Sequence, residues 1–282
     1  MSTTANQPAR ASDPPTQAKV PDRAQAKVPE ITAWFWATKI VGTAMGEAVS
    51  DFMNSWLGPA IAVPIMLIAL GLVLRWQYRT DRYSTWRYWS VVTAVAVFGT
   101  SAADALHVGL GIPYFASTAF YAVVLAAVLI AWYRSEGTLS IHSIYTRRRE
   151  NFYWLTVLAT FALGTAGGDF TATSLNIGFF PSALLFGALI LVPLVGYTTR
   201  RMNPVLAFWF AYTLTRPLGA SFADWFDQPR SMHGLNLGQG PVAISLALVL
   251  AALITYMAAN QVGVRRARPV PHLEPTLEPV GS

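Results

Sequence analysis

The chain has 282 residues, of which 54% are hydrophobic and only 12% charged; this composition excludes an ordinary soluble domain and a disordered chain. It has no cysteine, which rules out disulfides, thiol catalysis and thiolate metal sites. Its net charge of +6 does not point to nucleic acid, because the basic residues are divided among separate loops beside aromatic anchors such as Trp76, Tyr78, Trp86 and Trp89.

Residues 1–30 are polar and rich in Pro and Ala, with no hydrophobic core of a signal peptide, and read as a disordered cytoplasmic tail. Eight apolar stretches follow, near residues 32–53, 59–76, 88–107, 113–133, 152–174, 181–199, 204–225 and 240–261. Each is about 20 residues long, the length of one helical bilayer crossing, and none alternates apolar with polar as a barrel strand would. Residues 263–282 read as a second disordered tail. The expected fold is all-α, a polytopic membrane bundle of about eight helices.

Basic residues divide 17 to 1 between the two sets of connections. Arg230 is alone on one side, while Lys39 and Arg216 fall inside spans. Positive-inside bias therefore places both termini in the cytoplasm. The Arg147–Arg149 cluster reads as a topology signal and a contact for anionic lipid, and His142 beside it as a surface residue.

Within the spans one pattern recurs: Gly42 to Glu47, Gly99 to Asp104, Gly164 to Asp169 and Gly219 to Asp224, each a Gly, three residues, a small residue and a carboxylate. After each comes a short loop, a proline (Pro59, Pro113, Pro181, Pro241) and a second span. The membrane domain, 31–262, is thus four tandem two-helix repeats, about 31–86, 87–150, 151–202 and 203–262. An even number of spans per repeat makes the copies parallel, related about an axis along the membrane normal, with the motif-bearing odd helices at the centre. The loop glycines and prolines are ordinary helix stop and start signals; a re-entrant turn facing the acids is the alternative.

Four features carry the resemblance to a known family: the four two-helix repeats, the stretch from Gly99 to Pro113, the loop from Thr138 to Arg149 and the run from Phe208 to Trp225. The chain resembles bacterial integral membrane proteins built from a tandem repeat of unknown function, often labelled membrane-anchored proteins. The resemblance implies a multi-pass protein of the bacterial inner membrane and supplies no activity.

Gly42, Gly46, Gly99, Gly164, Gly168 and Gly219 are expected to allow close helix packing. Carboxylates inside hydrocarbon cost several kcal/mol unless they face protein or water, so Glu47, Asp51, Asp104, Asp169 and Asp224 are expected to share a polar interior with His107. Thr43, Thr100 and Thr165 stand four residues before their acids, within reach of a same-helix hydrogen bond. Lys39 and Arg216 each precede an acid by eight residues and serve as counter-charges. From Asp227 onward a solvated loop is expected.

Oxygen ligands with at most one imidazole suit Mg2+ or Mn2+, with Glu47, Asp104, His107 and Asp169 as the candidate set, and the same groups could relay H+. No Walker loop, His-Glu-x-x-His, nucleophile elbow or dinucleotide fingerprint occurs, so neither enzyme activity nor an organic cofactor is expected. The expected function is a secondary transporter or exporter of a small cation. The alternative is a membrane scaffold or sensor subunit whose repeated acids are structural. Beyond the lipid bilayer and the cation no partner is implied, and the oligomeric state is open.

Overall fold

A computed structural model describes residues 26–264, which form eight long helices and no strand. They are α1 (Ala33–Leu57), α2 (Pro59–Tyr78), α3 (Thr85–Asp104), α4 (Tyr114–Glu136), α5 (Arg147–Asp169), α6 (Phe179–Thr198), α7 (Pro204–Asp227) and α8 (Gln239–Ala259). Each matches one apolar stretch of the sequence. Left-handed glycines at Gly58, Gly178 and Gly238 (φ of 76°, 86° and 84°) turn the chain into α2, α6 and α8, a conformation that costs glycine nothing.

The odd helices form an inner ring: α1 packs on α3, α3 on α5, α5 on α7, and α7 returns to α1. The even helices pack outside it, each chiefly on the odd helix of the next repeat, α2 on α3, α4 on α5, α6 on α7 and α8 on α1. The last repeat thus closes on the first. The even helices leave long rows of apolar side chains uncovered, among them Ile61, Ile68, Val123, Leu191, Leu194 and Leu248, an outer surface suited to lipid and not to water.

Five helices, α2, α3, α4, α6 and α8, are long and apolar enough to cross a membrane. The other three, α1, α5 and α7, are of similar length but carry the charged groups, Lys39, Glu47 and Asp51 on α1, Arg147 to Glu150 and Asp169 on α5, and Arg216, Asp224 and Asp227 on α7. Lys39, Glu47, Arg216, Asp224 and Asp227 are buried within the bundle, while Arg147 and Arg148 at the start of α5 are exposed.

Two contacts repeat around the ring with one register. A glycine of each odd helix faces the helix of the next repeat: Gly46 faces Ala96, Gly99 faces Phe161, Gly164 faces Arg216, and Gly219 faces Thr43. Ten residues before each of these glycines stands a tryptophan, preceded by another aromatic residue. The aromatic residue of each repeat packs on the tryptophan of the next: Phe35 on Trp89 at 5.7 Å between ring centres, Tyr88 on Trp154 at 5.5 Å, Tyr153 on Trp209 at 6.0 Å and Phe208 on Trp36 at 5.8 Å. These eight rings close the core at the end of the bundle where the odd helices begin, here called the base.

This register corrects the motif expected in repeat one. The glycine that contacts the next helix is Gly46, whereas Gly42 faces Leu250 of α8. The acid five residues after Gly46 is Asp51, so the equivalent carboxylates are Asp51, Asp104, Asp169 and Asp224. Glu47 instead occupies the position of Thr100, Thr165 and Ala220.

At the base, the chain before α1 is packed. Ala26, Lys27 and Val28 are buried, Lys27 pairs with Glu150 at 2.9 Å, and the Glu30 amide donates to the Gly263 carbonyl at 2.9 Å. The expected tail of 1–30 therefore ends before Ala26. The remainder of that tail, and of the expected tail at 263–282 beyond Val264, lies outside the described residues.

The glycine contacts separate two classes of substitution. A methyl group at Gly46 would overlap Ala96 and lie 2.9 Å from its backbone carbon, whereas at Gly168 it would sit 3.7 Å from Pro217, an ordinary contact. Gly46→Ala is expected to destabilise the protein by about 1 to 3 kcal/mol, and Gly168→Ala to leave it near wild type. Thermal melting of both variants in detergent checks this; equal melting temperatures would show that α1 and α3 are not in close contact.

Candidate functional site: an axial arginine beneath a ring of carboxylates

Arg216 is fully buried at the middle of the inner ring. Its Nη2 donates to Glu47 and to Thr100, and to Thr165 Oγ1 at 2.7 Å. These three residues occupy the same register position in repeats one, two and three, so one guanidinium on α7 ties together the other three inner helices. Nη1 adds a bond to the Thr43 carbonyl at 3.0 Å. Gly164 makes this possible, since a Cβ there would overlap the Arg216 stem. Pro217 follows directly, and its lack of an amide hydrogen interrupts the α7 hydrogen-bond ladder next to the arginine.

The expected same-repeat pairing is thus replaced by pairing across repeats: the cation of repeat four meets the acid of repeat one. Lys39 forms no ion pair among the described residues. It is 1% exposed, its Nζ donates to Thr215 Oγ1 at 2.7 Å, and it lies 3.8 Å from the centre of the Tyr212 ring and 5.0 Å from that of Phe161. A desolvated ammonium over aromatic faces is a favourable arrangement. The threonines bond across to neighbouring helices as well as to their own backbone. Thr100 donates to Glu47 Oε2 at 3.1 Å rather than to Asp104, and Thr43 bonds the carbonyls of Ile40 and Thr215.

One turn beyond the position of Glu47, Thr100 and Thr165, towards the end opposite the base, the four equivalent aspartates gather. Asp224 is buried, and Asp51, Asp104 and Asp169 are half-buried. They stand close enough for charge to act between them and Glu47, and Arg216 is close enough to act on Asp51, Asp104 and Asp169. Unlike Glu47, none of the four takes a side-chain hydrogen bond from the described residues. Directly after Asp104 and Asp169 the helices widen into π-turns at Ala105–Gly109 and Phe170–Ser174, a distortion frequent at functional sites.

Three acids come close enough to share an ion. One carboxylate oxygen from each of Glu47, Asp51 and Asp224 lies within 4.8 Å of the others. Opposed oxygens around a divalent cation are about 4 to 5 Å apart at normal bond lengths, so this spacing fits one. The triad differs from the set expected from sequence, because the repeat-one register brings Asp51 and Asp224 next to Glu47, while Asp104 and Asp169 stand on the neighbouring inner helices. His107 is held away from it: Nδ1 lies 2.7 Å from the Ile112 carbonyl and the ring stacks on Tyr114 at 3.4 Å.

Asp227 is a site residue that sequence reasoning assigned to a solvated loop. It is 4% exposed, and neither carboxylate oxygen has a hydrogen-bond partner among the described residues. It lies near enough for its charge to act on Asp51 and Asp224. Its position three residues after Asp224 puts it on the same inward face of α7, a signal that was available in the sequence. Arg230 and His233, beyond the helix end, are exposed.

At the base, Arg148 and Arg149 pair with Glu136 at 3.3 Å and 2.8 Å, so much of the basic cluster is occupied by the protein itself. His142 is exposed.

No curated protein and no solved structure matches the chain. A family model described as Repeat of Unknown Function (DUF347) matches four times, at residues 34–83, 87–138, 152–203 and 207–262. Gly46, Gly99, Gly164 and Gly219 each lie twelve residues after the start of their matched segment, the same register that the helix contacts show. Four tandem copies of this repeat, closed into one ring, make the chain a member of the DUF347 repeat family.

Proposed function

We propose that the protein is a secondary transporter or exporter of a small cation, and that Asp51, Asp224 and Glu47 form its principal binding site. The observation that carries this reading is the ring of four equivalent aspartates, which take no side-chain hydrogen bond from the described residues, above a buried arginine that pairs with Glu47. Glu47 faces both groups. A divalent cation entering from the aspartate end would compete with Arg216 for the Glu47 carboxylate, so loading would loosen the bond that ties α7 to the other inner helices. Such coupling between occupancy and helix packing is what alternating access requires. Asp104, Asp169 and Asp227 would add negative potential around the site and hold H+ when the cation leaves. The oxygen-rich set favours Mg2+ or Mn2+ over softer metals.

A scaffold or sensor role is the second reading. It draws on the bonds that Arg216 makes through Nη1 and Nη2 and on the aromatic layer at the base, which together fill the axis. Flux separates the two. Asp51→Asn and Asp224→Asn remove charge without breaking any side-chain hydrogen bond among the described residues, so both are expected to fold normally. In liposomes their Mn2+ or Mg2+ flux is expected to fall by at least about tenfold, the consequence of losing about 1.4 kcal/mol of binding. Wild-type flux in both variants would sink the transport reading.

The orientation proposed with this function puts the base, and with it both chain ends, in the cytoplasm of a bacterial inner membrane, following the 17 to 1 division of basic residues. The chain has no natural cysteine, so a single cysteine at exposed Ser231 can be labelled selectively. An impermeant thiol reagent should label it in intact spheroplasts; labelling only after permeabilisation would reverse the orientation.

A further inference from the structure

A trough runs between α2 and α5 on the outside of the bundle, with α3 as its floor. Leu70 and Leu74 of α2 form one wall, Val95 of α3 the floor, and Trp154 and Leu158 of α5 the other wall. At the base end a polar clasp joins the two walls. Tyr78 donates to Asn151 Oδ1 at 2.6 Å, Gln77 donates to Glu150 Oε1 at 3.1 Å, and the Arg147 guanidinium lies 4.7 Å from the Tyr78 ring centre. Beside the clasp, and sharing Leu74 and Tyr78 with the trough, opens a basic mouth lined by Gly71, Arg75, Arg79 and Arg147.

Arg147 is engaged at this mouth, since it also lies 3.6 Å from Glu150. Arg75 and Arg79 are exposed and form no ion pair among the described residues. Gly71 sits in the same wall with nothing within 4 Å of where its Cβ would be, so a side chain is missing where it would narrow the opening. The stripe from Leu70 to Tyr78 is about 12 Å long, at 1.5 Å of rise per helical residue. The feature therefore has two free guanidiniums at one end, in the interfacial part of a membrane helix, and an apolar channel of that length at the other.

We propose that this trough binds one anionic glycerophospholipid, with its phosphate on Arg75 and Arg79 and an acyl chain along Leu70, Leu74 and Leu158. Guanidinium is the side chain best matched to phosphate oxygens. The apolar channel accounts for what an inorganic anion would leave unused. The seated lipid would bridge α2 to α5, which share α3 as a neighbour and are otherwise joined to each other by the clasp. This site is independent of the carboxylate site above, and variants in one leave the other intact.

Native mass spectrometry of the full-length protein in detergent tests it, with phosphatidylglycerol, phosphatidylethanolamine of the same chains, and glycerol phosphate offered separately. One phosphatidylglycerol should stay bound to the wild type. Replacing both arginines (Arg75→Gln with Arg79→Gln) should weaken it on the order of 30-fold, to the level of phosphatidylethanolamine, since each arginine near the headgroups contributes about a fivefold effect. Gly71→Trp, which fills the opening, should weaken both lipids; if that variant does not fold, Leu155→Trp on the opposite wall asks the same question. Equal retention of the two lipids by the wild type, or unchanged phosphatidylglycerol in the arginine variant, would overturn the proposal. So would glycerol phosphate binding as tightly as the lipid, which would reveal an anion site without an acyl channel.

Discussion

One guanidinium holds the inner ring together. In a membrane there is little hydrophobic force between helices, so association rests on close packing and on polar bonds that have no competing water. The ring supplies close packing through four glycine contacts in equivalent places, but only one of its four repeats contributes a cation at that depth. Arg216 reaches the other three inner helices at once, through Glu47, Thr100 and Thr165. Burying a guanidinium is costly unless it is paired and hydrogen-bonded. Glu47 supplies the pairing and both Nη atoms are hydrogen-bonded, while Nε has no partner among the described residues; Gly164 leaves room for the stem.

Near fourfold repetition makes the departures from it informative. The aromatic layer and the glycine contacts are kept in all four repeats, so they define the scaffold. The level of Arg216 is not kept: the equivalent residues are Thr43, Ala96 and Phe161. Nor is the level of Glu47, where the others are Thr100, Thr165 and Ala220. A ring that keeps four aspartates at one end and one Glu–Arg pair below them has polarised an otherwise symmetric arrangement. The asymmetry places the three-carboxylate group between repeats one and four, where the ring closes.

Much of this was legible in the sequence. Eight helices, four repeats and odd helices at the centre all follow from apolar length, motif period and the position of the acids. The register of repeat one is ambiguous in the sequence, because Gly42 to Glu47 and Gly46 to Asp51 both satisfy the same short pattern. The doublets Phe35-Trp36, Tyr88-Trp89, Tyr153-Trp154 and Phe208-Trp209 would have decided it, since each tryptophan precedes its ring glycine by ten residues. Cross-repeat pairing was not legible at all. Residues eight apart on one helix look like partners, but whether Arg216 turns to Asp224 or crosses to Glu47 depends on how neighbouring helices are seated. The burial of Lys27 was hidden for a similar reason: a lysine in a polar stretch gives no sign that Glu150, 123 residues away, waits for it.

The contact between Glu47 and Arg216 can be measured by a double-mutant cycle on unfolding in detergent, using Glu47→Gln, Arg216→Gln and the two together. Removing either partner alone leaves the other without its counter-charge in a buried site and should cost about 3 to 5 kcal/mol, while removing both should cost clearly less than the sum, with a coupling of about 2 kcal/mol or more. Asp224→Gln in place of Glu47→Gln should show little coupling to Arg216, although Asp224 is on the same helix. Additive effects of Glu47 and Arg216, within about 0.5 kcal/mol, would contradict an inner ring held by this pair.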